Sequence, residues 1–519
     1  MKTILLSVSV FLTASLFSQN TYINANNAKG LINSNGEFFN DATSAKAAYG
    51  MVSDSNAQGI YASSFWIAGL DPNDSLHTCL TKYGVTDLKS GPITQDYYNA
   101  NYLNTYNNKT WSVTLNEINY HIAHYNDPNY NMPNGILNWP AHGNVAFGEA
   151  PNLAQFVDVN TNGIYEPQFG DYPLIRGNKM VYLIFNDDDA YSPTNTMGFE
   201  YHFMVYQYAS NDDYLNNTTF LRLTIFNRSG IDYHNVRVAN YTDFDIGGAN
   251  DDYVGSDSTR NMIFGYNGDA VDDVGSSIKF GINPPAFGIK QLNQPMDVAM
   301  LYSNGNSYLY SDPTTPHQTW NHMNGYWNDT IHLTYDSLGS TGTILTNYAY
   351  SGNPFTQTGW SEVTSNNTTG DRRIMMSTGN GYLANGQSVC IDYAFIYARN
   401  GGDYLANVNA LYAVADSIQD FYDGLTGFYC PDGNILLNTE KINQPSKELL
   451  VYPNPNNGSF KINFNGNYNI KLYTLNGQLK YTKKGLSNQA EINLELPPGL
   501  YILQVENKGQ IFYKKIVIK

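Results

Sequence analysis

Stretches rich in β-branched and aromatic residues recur through the central part of the chain, and Asn, Asp and Gly turns separate them. Such stretches are typical of β-strands. Their spacing of about 18 residues suits antiparallel sheets stacked as a sandwich. The strands predicted in this way lie at 61–70, 180–185, 199–208, 220–226, 236–241, 298–302 and 388–397. The fold class expected for the body is therefore mainly β, a large antiparallel β-sandwich.

The apolar residues change once from a strand period to a helical one. Between Leu405 and Phe421 they recur at helical spacing, Asp403 can cap the start of the helix, and Gly424 can end it. This amphipathic helix is the one helix that the pattern predicts. Because it follows many strands, we expect it to lie against a sheet or to close the end of the sandwich.

The last part of the chain repeats the strand pattern in shorter pieces. Phe460, Ile462 and Phe464 alternate with polar residues, which is the period of a half-buried strand. Asn476-Gly477 lies between two such stretches and favours a type I′ hairpin. Further strands are predicted at 492–496, 500–505 and 511–518. About six or seven short strands in so small a segment predict a second, small C-terminal β-sandwich.

Backbone rigidity and charge both place a domain boundary before this segment. Pro453 and Pro455 fix φ at two nearly adjacent positions, which makes a stiff connection to a new domain. Residues 446–519 carry a net charge of +6, whereas the whole chain carries −17 and the remainder therefore −23. Parts of opposite charge are expected to fold as separate domains. The predicted division is a signal peptide at 1–18, a β-rich body at 19–432, a linker at 433–449 and a tail domain at 450–519.

The amino-terminal residues have the layout of a secretory signal peptide. Lys2 precedes an apolar stretch from Ile4 to Phe17, and Ser18-Gln19 is a suitable cleavage point. This stretch is shorter than the roughly 20 residues that a membrane-spanning helix needs, and no other stretch of the sequence approaches that length. The protein is therefore predicted to be secreted or held at the outer cell surface, without a transmembrane segment.

Several short motifs of the tail resemble those of a known family. They are Tyr452-Pro453-Asn454-Pro455, Gly458-Ser459-Phe460, the Leu-Tyr-Thr-Leu-Asn-Gly of 472–477, the Pro-Gly-Leu-Tyr-Ile-Leu of 498–503 and the terminal Lys-Lys-Ile-Val-Ile-Lys. Together they resemble the type A C-terminal sorting domain of the type IX secretion system of Bacteroidota. The resemblance implies that residues 450–519 interact with the type IX secretion machinery and direct the protein across the outer membrane. It also implies that the tail is cleaved off and that the remainder is released or fixed to the cell surface.

The body resembles uncharacterised secreted proteins of Bacteroidota that carry the same tail. The shared pieces are the Phe-Trp-Ile-Ala-Gly-Leu-Asp of 65–71, the loop at 158–173 with its Gly-Asp-Tyr-Pro ending, and the Asp-Asp-Tyr-Val-Gly of 251–255. This second resemblance implies no activity.

Composition narrows the classes of function and partner. An acidic body lacks the basic face that phosphate contacts need, so nucleic acid is excluded as a partner. Charged residues and aromatic residues each make up 14% of the chain, and 43 residues are Tyr, which suits an extracellular β-rich protein with polar turns. Three cysteines are too few for a disulfide framework. Cys390 and Cys430 can pair and leave Cys79 over, or all three can be buried free thiols.

The clearest chemical motif is a loop rich in Asn and Asp that begins at Asp158. Oxygen-bearing side chains occupy its first, third and fifth positions and Gly163 the sixth, as in the first half of a calcium-binding loop. The twelfth position is Phe169 rather than Glu, so Glu166 or Asp171 must close the site, as in the shorter calcium loops of dockerin-like and thrombospondin-type repeats, which this loop resembles. Two Asn in place of Asp predict weak affinity. The predicted calcium ligands, against the alternative of an Asx-rich turn without an ion, are Asp158, Asn160, Asn162, the carbonyl of Ile164, Glu166 and Asp171.

Two further acidic clusters lie between the predicted strands. The first consists of Asp187, Asp188 and Asp189, and the second lies in a Gly-rich stretch. Crowded carboxylates repel one another unless a cation or an Arg lies among them, and Arg260 is near the second cluster in sequence. A calcium site and a solvated turn are both alternatives for the second cluster, which comprises Asp243, Asp245, Asp251, Asp252 and Asp257. His121 and His124 are three residues apart and would form a metal-binding pair only on a helix.

The favoured function is non-enzymatic binding or adhesion, because the body has a metal loop and many aromatic residues but no catalytic motif. The sequence contains no Gly-x-Ser-x-Gly elbow, His-Glu-x-x-His helix or phosphate-binding loop. Aromatic residues beside Asn and Asp favour a glycan or another cell-surface ligand. The alternative is a polysaccharide-acting enzyme, similar to glycoside hydrolases, that would use paired carboxylates from Asp243 with Asp245, Asp251 with Asp252, or Glu200. Calcium is the one cofactor expected.

Overall fold

The computed structural model describes residues 20–519 apart from 42–43, 45, 55–56, 96–98, 189–194, 274–278, 303–308, 337–338, 426–429, 431–448, 475–478 and 508–509. The predicted signal peptide, nearly all of the predicted linker, Asp189 and the Asn476-Gly477 turn lie outside the described residues. The chain divides into two compact units, Met1–Thr439 and Glu440–Lys519. Among the described helices, none combines the length and the apolar character that a membrane span needs.

The first unit contains two nine-stranded sheets, which we call sheet I and sheet II. In both, the neighbouring strands are antiparallel. The strands of sheet I are, in spatial order, Thr21–Ile23, Ala28–Ile32, Tyr49–Met51, Ile60–Leu70, Tyr233–Phe244, Arg372–Leu383 and Val298–Tyr302, with Leu76–Lys82 paired to Ile60–Leu70 and Val85–Thr86 paired to Leu76–Lys82. The strands of sheet II are Trp111–Thr114, Lys179–Asn186, Phe199–Gln207, Thr219–Asn227, Ser388–Ala398, Ala286–Gln291, Met262–Asn267 and Asp252–Asp257, with Lys89–Ser90 paired to Lys179–Asn186.

Three small two-stranded sheets complete the strands of this unit. They pair Asn40–Asp41 with Lys46–Ala47, Phe156–Val157 with Tyr172–Pro173, and Val271–Asp272 with Gly281–Ile282. The second of these small sheets closes the base of the loop that begins at Asp158.

Sheets I and II pack face to face, and their facing side chains form the main core. The ring of Phe65 in sheet I lies 5.5 Å from that of Phe203 and 5.2 Å from that of Tyr393, both in sheet II. Trp66 points the opposite way, because successive side chains of a strand alternate between its two faces, and it stacks on Tyr241. The predicted mainly β, antiparallel sandwich is confirmed.

The predicted helix is present as Tyr404–Asp423. It begins after Asp403, whose side chain accepts hydrogen bonds from two backbone N–H groups of the first turn. The ring of Tyr412 in this helix lies 5.6 Å from the ring of Phe264, on the face of sheet II that is turned away from sheet I. The apolar side chains that it buries there include Val408, Leu411 and Ile418. The expectation that this helix lies against a sheet is therefore confirmed.

The described residues contain further helices that the apolar period did not predict. Two of them begin with a capping box, in which Thr114 and Glu117, or Thr315 and Gln318, exchange hydrogen bonds between side chain and backbone. Helices this short offer few apolar positions, so capping and tertiary packing decide them rather than a visible period. The α-helices are Ala100–Tyr106, Leu115–His124, Asn134–Leu137, Asp213–Asn216 and Pro316–Met323, and the 3₁₀ helices are Val52–Asp54, Val145–Phe147 and Pro167–Phe169.

Of the two alternatives for the cysteines, the structure has the disulfide. Cys390, on strand Ser388–Ala398, is bonded to Cys430, and Cys79 is a buried free thiol. The disulfide joins the segment that follows helix Tyr404–Asp423 to a central strand of sheet II.

The second unit is a five-stranded antiparallel sheet with its own core. Phe460, Ile462 and Phe464 are buried in that core, as their alternation predicted. The structure has fewer and longer strands than the six or seven expected, because the two longest strands continue through register shifts, one of them between Asn463 and Asn467. The five strands are Leu450–Tyr452, Ser459–Thr474, Leu479–Asn493, Gly499–Asn507 and Gln510–Ile518.

Candidate functional site

The predicted calcium loop folds tightly around the side chain of Asp158. Asp158 Oδ2 accepts a hydrogen bond from the backbone N–H of Gly163 at 2.6 Å, and Oδ1 accepts one from that of Asn162 at 3.3 Å. Gly163 has φ of +80°, in the left-handed region that a residue without Cβ adopts at little cost. The sharp turn predicted from Gly163 is therefore present.

The remaining oxygen-bearing side chains of the loop turn toward the same backbone. Asn160 Oδ1 accepts from Asn162 N at 3.1 Å, and Asn162 Oδ1 accepts from Ile164 N at 2.8 Å. Asn162 Nδ2 donates to Glu166 Oε2 at 2.6 Å. The loop thus gathers the side chains of four predicted ligands, Asp158, Asn160, Asn162 and Glu166.

Asp171 has a structural role that differs from that of the other predicted ligands. It is fully buried, its Oδ1 accepts from Val159 N, and its Oδ2 accepts from Glu166 N, both at 2.8 Å. The Asp171 carboxylate therefore holds the two ends of the loop together. The set of six calcium ligands stays a prediction. Within that set, the contacts of Asp171 show that its side chain stabilises the loop by joining its two ends.

The two histidines near this loop lie on one helix, Leu115–His124, but each has its own partner. His121 Nε2 donates to the carbonyl oxygen of Asp171 at 3.0 Å. His124 Nδ1 lies 2.7 Å from Asp127 Oδ2. Burial lowers the pKa of His121 below its usual value, which favours the neutral ring. These contacts give both rings structural roles.

The second acidic cluster is reorganised by strand pairing. Asp243 lies near the end of strand Tyr233–Phe244, where it pairs with Arg373, and Asp245 and Asp371 follow as the next positions on that face. One oxygen of each of these three carboxylates lies within 4.8 Å of one oxygen of each of the others, which makes this the one such group of three metal-ligating side chains among the residues that the structure describes.

Two neighbours hold this group in place. Arg373 lies 3.3 Å from Asp243 Oδ2 and donates to Asp371 Oδ1 at 2.8 Å. The Tyr83 hydroxyl donates to Asp243 Oδ2 at 2.7 Å. Burial and the neighbouring Asp245 raise the pKa of Asp243 well above its usual value, and burial raises the pKa of Asp245 to about 7. Sequence analysis missed Asp371, Arg373 and Tyr83, because only tertiary structure brings them to Asp243: Asp371 and Arg373 through strand pairing, and Tyr83 from the turn after strand Leu76–Lys82.

The other members of the acidic clusters serve elsewhere. Arg260, expected among the second cluster, lies 2.8 Å from one member of it, Asp257, and 2.9 Å from Asp416 on helix Tyr404–Asp423. Asp252 Oδ2 accepts from Ile246 N at 2.9 Å. In the first cluster, Asp187 is fully buried and accepts hydrogen bonds from the backbone N–H groups of Met197 and Phe199 at 2.8 and 2.7 Å.

A cavity of about 860 Å³ lies beside the Asp158 loop. Its wall includes His142, whose Nε2 accepts a hydrogen bond from the loop residue Tyr165 through its backbone N–H at 3.1 Å. None of the described residues that line it is Asp or Glu. The side chains that give it its chemical character are Asn104, Lys109, Trp111, Asn134, Asn138 and Trp139.

Of the carboxylates named as candidates for polysaccharide chemistry, Asp245 is half-buried and the others are buried. Glu200 is fully buried, lies 3.0 Å from His202 Nε2 and 3.1 Å from the guanidinium of Arg228, and accepts from Ile93 N at 2.9 Å. Asp243, Asp251 and Asp252 are at most 4% exposed. A polymeric substrate would not reach the buried carboxylates without rearrangement of the sandwich.

Comparisons with known proteins place the chain only through its tail. No curated protein matches it. Two solved structures show weak likeness. One is a polysaccharide lyase, with 9% identity, a TM-score of 0.21, and coverage of 65% of this chain and 35% of that one. The other is PorZ, titled an essential bacterial surface component of the type IX secretion system of Porphyromonas gingivalis, with 11% identity, a TM-score of 0.13, and coverage of 72% of this chain and 48% of that one. The chain therefore spans about a third and about half of these structures. At such TM-scores, neither likeness bears on function.

Residues 450–519 match the model of the family described as secretion system C-terminal sorting domain. The match covers the five-stranded sheet of the second unit and contains each tail motif noted in the sequence. The resemblance of the tail to a sorting domain is thereby confirmed. The chain carries at residues 450–519 a C-terminal sorting domain of the type IX secretion system, which indicates export to the cell surface or the medium.

Proposed function

We propose that this chain is a cargo of the type IX secretion system whose body binds a glycan or another cell-surface ligand without catalysing a reaction, and whose Asp158 loop is stabilised by calcium. The sorting domain supports export. The observation that carries the binding role is the cavity of about 860 Å³ beside that loop. In this proposal, the predicted signal peptide at 1–18 takes the chain into the periplasm, and the tail then directs it across the outer membrane.

The lining of the cavity suits a polar, neutral ligand. The amides of Asn104, Asn134 and Asn138 supply donors and acceptors, which match the hydroxyl groups of a sugar. Trp111 and Trp139 are 7% and 5% exposed, so they form rigid apolar walls rather than open stacking platforms. Carboxylates are missing from the described lining, which favours binding over an acid–base cleavage that needs two of them.

Calcium at the Asp158 loop would stiffen this cavity. The loop residue Tyr165 donates its backbone N–H to the cavity residue His142, and its hydroxyl donates to the carbonyl oxygen of Ile136, the residue after the cavity residue Gly135, at 2.6 Å. Oxygen ligands such as those of Asp158 and Glu166 suit calcium. An ion bound there would therefore order the segment that fixes one wall, and ligand affinity should rise with calcium.

A glycan array probed with the full-length protein, with and without calcium, tests this function. Asn104→Ala and Lys109→Ala change two cavity side chains that carry no described core contact, and Asn211→Ala changes an exposed amide outside the cavity. We expect the two cavity variants to weaken binding at least tenfold and the Asn211 variant to bind as the wild type does.

A parallel assay for newly formed sugar ends separates binding from catalysis. Binding that survives both cavity substitutions would show that the ligand lies elsewhere. Release of shorter sugars that the cavity variants abolish would replace the binding role with a polysaccharide-acting enzyme.

A further inference from the structure

We propose that Asp243, Asp245 and Asp371 form a second cation site, at the end of two paired strands of sheet I, and that this site takes a hard divalent cation such as Ca²⁺. Its three carboxylates belong neither to the Asp158 loop nor to the lining of the proposed ligand cavity.

The spacing of the carboxylates fits one ion. Calcium bonds oxygen at about 2.3–2.6 Å, so two oxygens on the same ion lie no more than about 5 Å apart. The three carboxylate oxygens lie within 4.8 Å of one another. One ion can therefore bond all three after small adjustments of side chains. Carboxylates are the ligands that calcium prefers, and no soft ligand is present in the group.

An unpartnered oxygen points independently to a ligand at this place. Asp243 is 1% exposed, and its Oδ1 has no hydrogen-bond partner among the residues that the structure describes. Its other oxygen, Oδ2, is satisfied by Tyr83 and Arg373. A buried carboxylate oxygen without a partner is costly, and native structures rarely leave one.

The charge of the group also calls for a cation. Three carboxylates face one guanidinium, that of Arg373, so the group carries two negative charges in excess once an ion holds all three carboxylates ionised. A divalent cation balances that excess, whereas a second Arg or a Lys would balance only half. Arg373 simultaneously repels the ion, which predicts the weak affinity of extracellular calcium modules, at about 10⁻⁴–10⁻³ M.

The site has a closed base and an open rim. Asp243 lies at the base, Asp245 is half-buried, and the side chain of Asp371 is 30% exposed. An ion can therefore enter from solvent, and water can supply the further ligands that bring calcium to six or more. Because Asp243 lies in strand Tyr233–Phe244 and Asp371 immediately precedes the neighbouring strand Arg372–Leu383, the ion would tie the ends of these two strands together.

Thermal melting of full-length Asp245→Asn, with calcium and with chelator, tests the site. Asn keeps the size of the side chain but removes the charge. In chelator the variant should melt at or above the temperature of the wild type, because one repulsion is gone. In millimolar calcium it should lose a stabilisation on the order of 2–4 °C that the wild type gains. This reversal of order is a signature that mere misfolding does not produce.

Two further variants make the outcome specific. Asp158→Asn in the background of every sample removes the contribution of the loop, and Asp420→Asn changes an exposed carboxylate on helix Tyr404–Asp423, which should leave the calcium shift intact. Terbium luminescence excited through tyrosine, with Tyr83 beside the site, gives a second reading of occupancy. If Asp245→Asn in the Asp158→Asn background keeps the full calcium shift, or if Asp158→Asn alone removes it completely, the second site does not exist.

Discussion

Removal of the Cys390–Cys430 disulfide should lower the free energy of unfolding of the body by about 4 kcal/mol. The bond joins residues 40 apart in sequence, and the loop that it closes contains helix Tyr404–Asp423. In the chain-entropy account, a cross-link restricts the unfolded chain by an amount that grows with the logarithm of loop length, and a loop of this size corresponds to about 4 kcal/mol at 25 °C. Cys430→Ser removes the link without changing the buried strand residue Cys390.

Denaturant unfolding of the full-length protein, followed by far-ultraviolet circular dichroism, measures this loss. The wild type in reductant should match Cys430→Ser, and reductant should have no further effect on the variant. Thiol titration of the unfolded protein should give one reactive group without reductant, from Cys79, and three with it. A midpoint that neither reduction nor the substitution moves would refute the reasoning, since the native state would then gain nothing from the closed loop.

Three other expectations follow from the contacts. His322 is fully buried, and desolvation lowers its pKa to about 4. Because the unfolded chain binds a proton on this ring below about pH 6.5 and the folded chain does not, wild-type stability should fall by up to about 3 kcal/mol relative to His322→Gln as pH drops from 6.5 to 4. Parallel curves of stability against pH for the two proteins would contradict this. Asp158→Asn removes one of the two acceptor oxygens that the loop uses, so its melting temperature should fall slightly in chelator and further in calcium, by the equivalent of about 1 kcal/mol more; an equal fall in both would remove calcium from the loop. Leu503→Ala empties part of the tail core at a cost of about 2–5 kcal/mol, so the protein should accumulate in the periplasm, whereas the exposed Lys514→Ala should be exported normally, as fractionation would show.

The local patterns of the sequence were sufficient for much of the fold. Strand Val298–Tyr302 and helix Tyr404–Asp423 lie where their periods placed them, because each period reports which face of the element is buried. The tail was recognisable because its motifs lie close together along the chain and need no tertiary contact to be seen. The Asp158 loop was also visible, since its ligands and its turn lie within one short segment.

Contacts between residues that are far apart in the sequence could not be predicted from local patterns. Asp243 and Asp371 are 128 positions apart in the sequence, and only the pairing of their strands brings the two carboxylates together. Asp257, which is much nearer to Asp243 in sequence, instead pairs with Arg260. The buried ion pair of Arg222 with Asp392, at 2.7 Å, arises in the same way from facing positions of two strands.

The sequence by itself determined that the protein carries a sorting domain for export, the class of its fold and one candidate calcium loop, because each depends on residues that are neighbours along the chain. The tertiary structure decided which cysteines pair, that Asp171 braces its loop, where a polar cavity lies, and that a second group of carboxylates converges on one point. The physical reason is that register between strands is set by the burial of whole faces, and a single strand does not carry the identity of its partner.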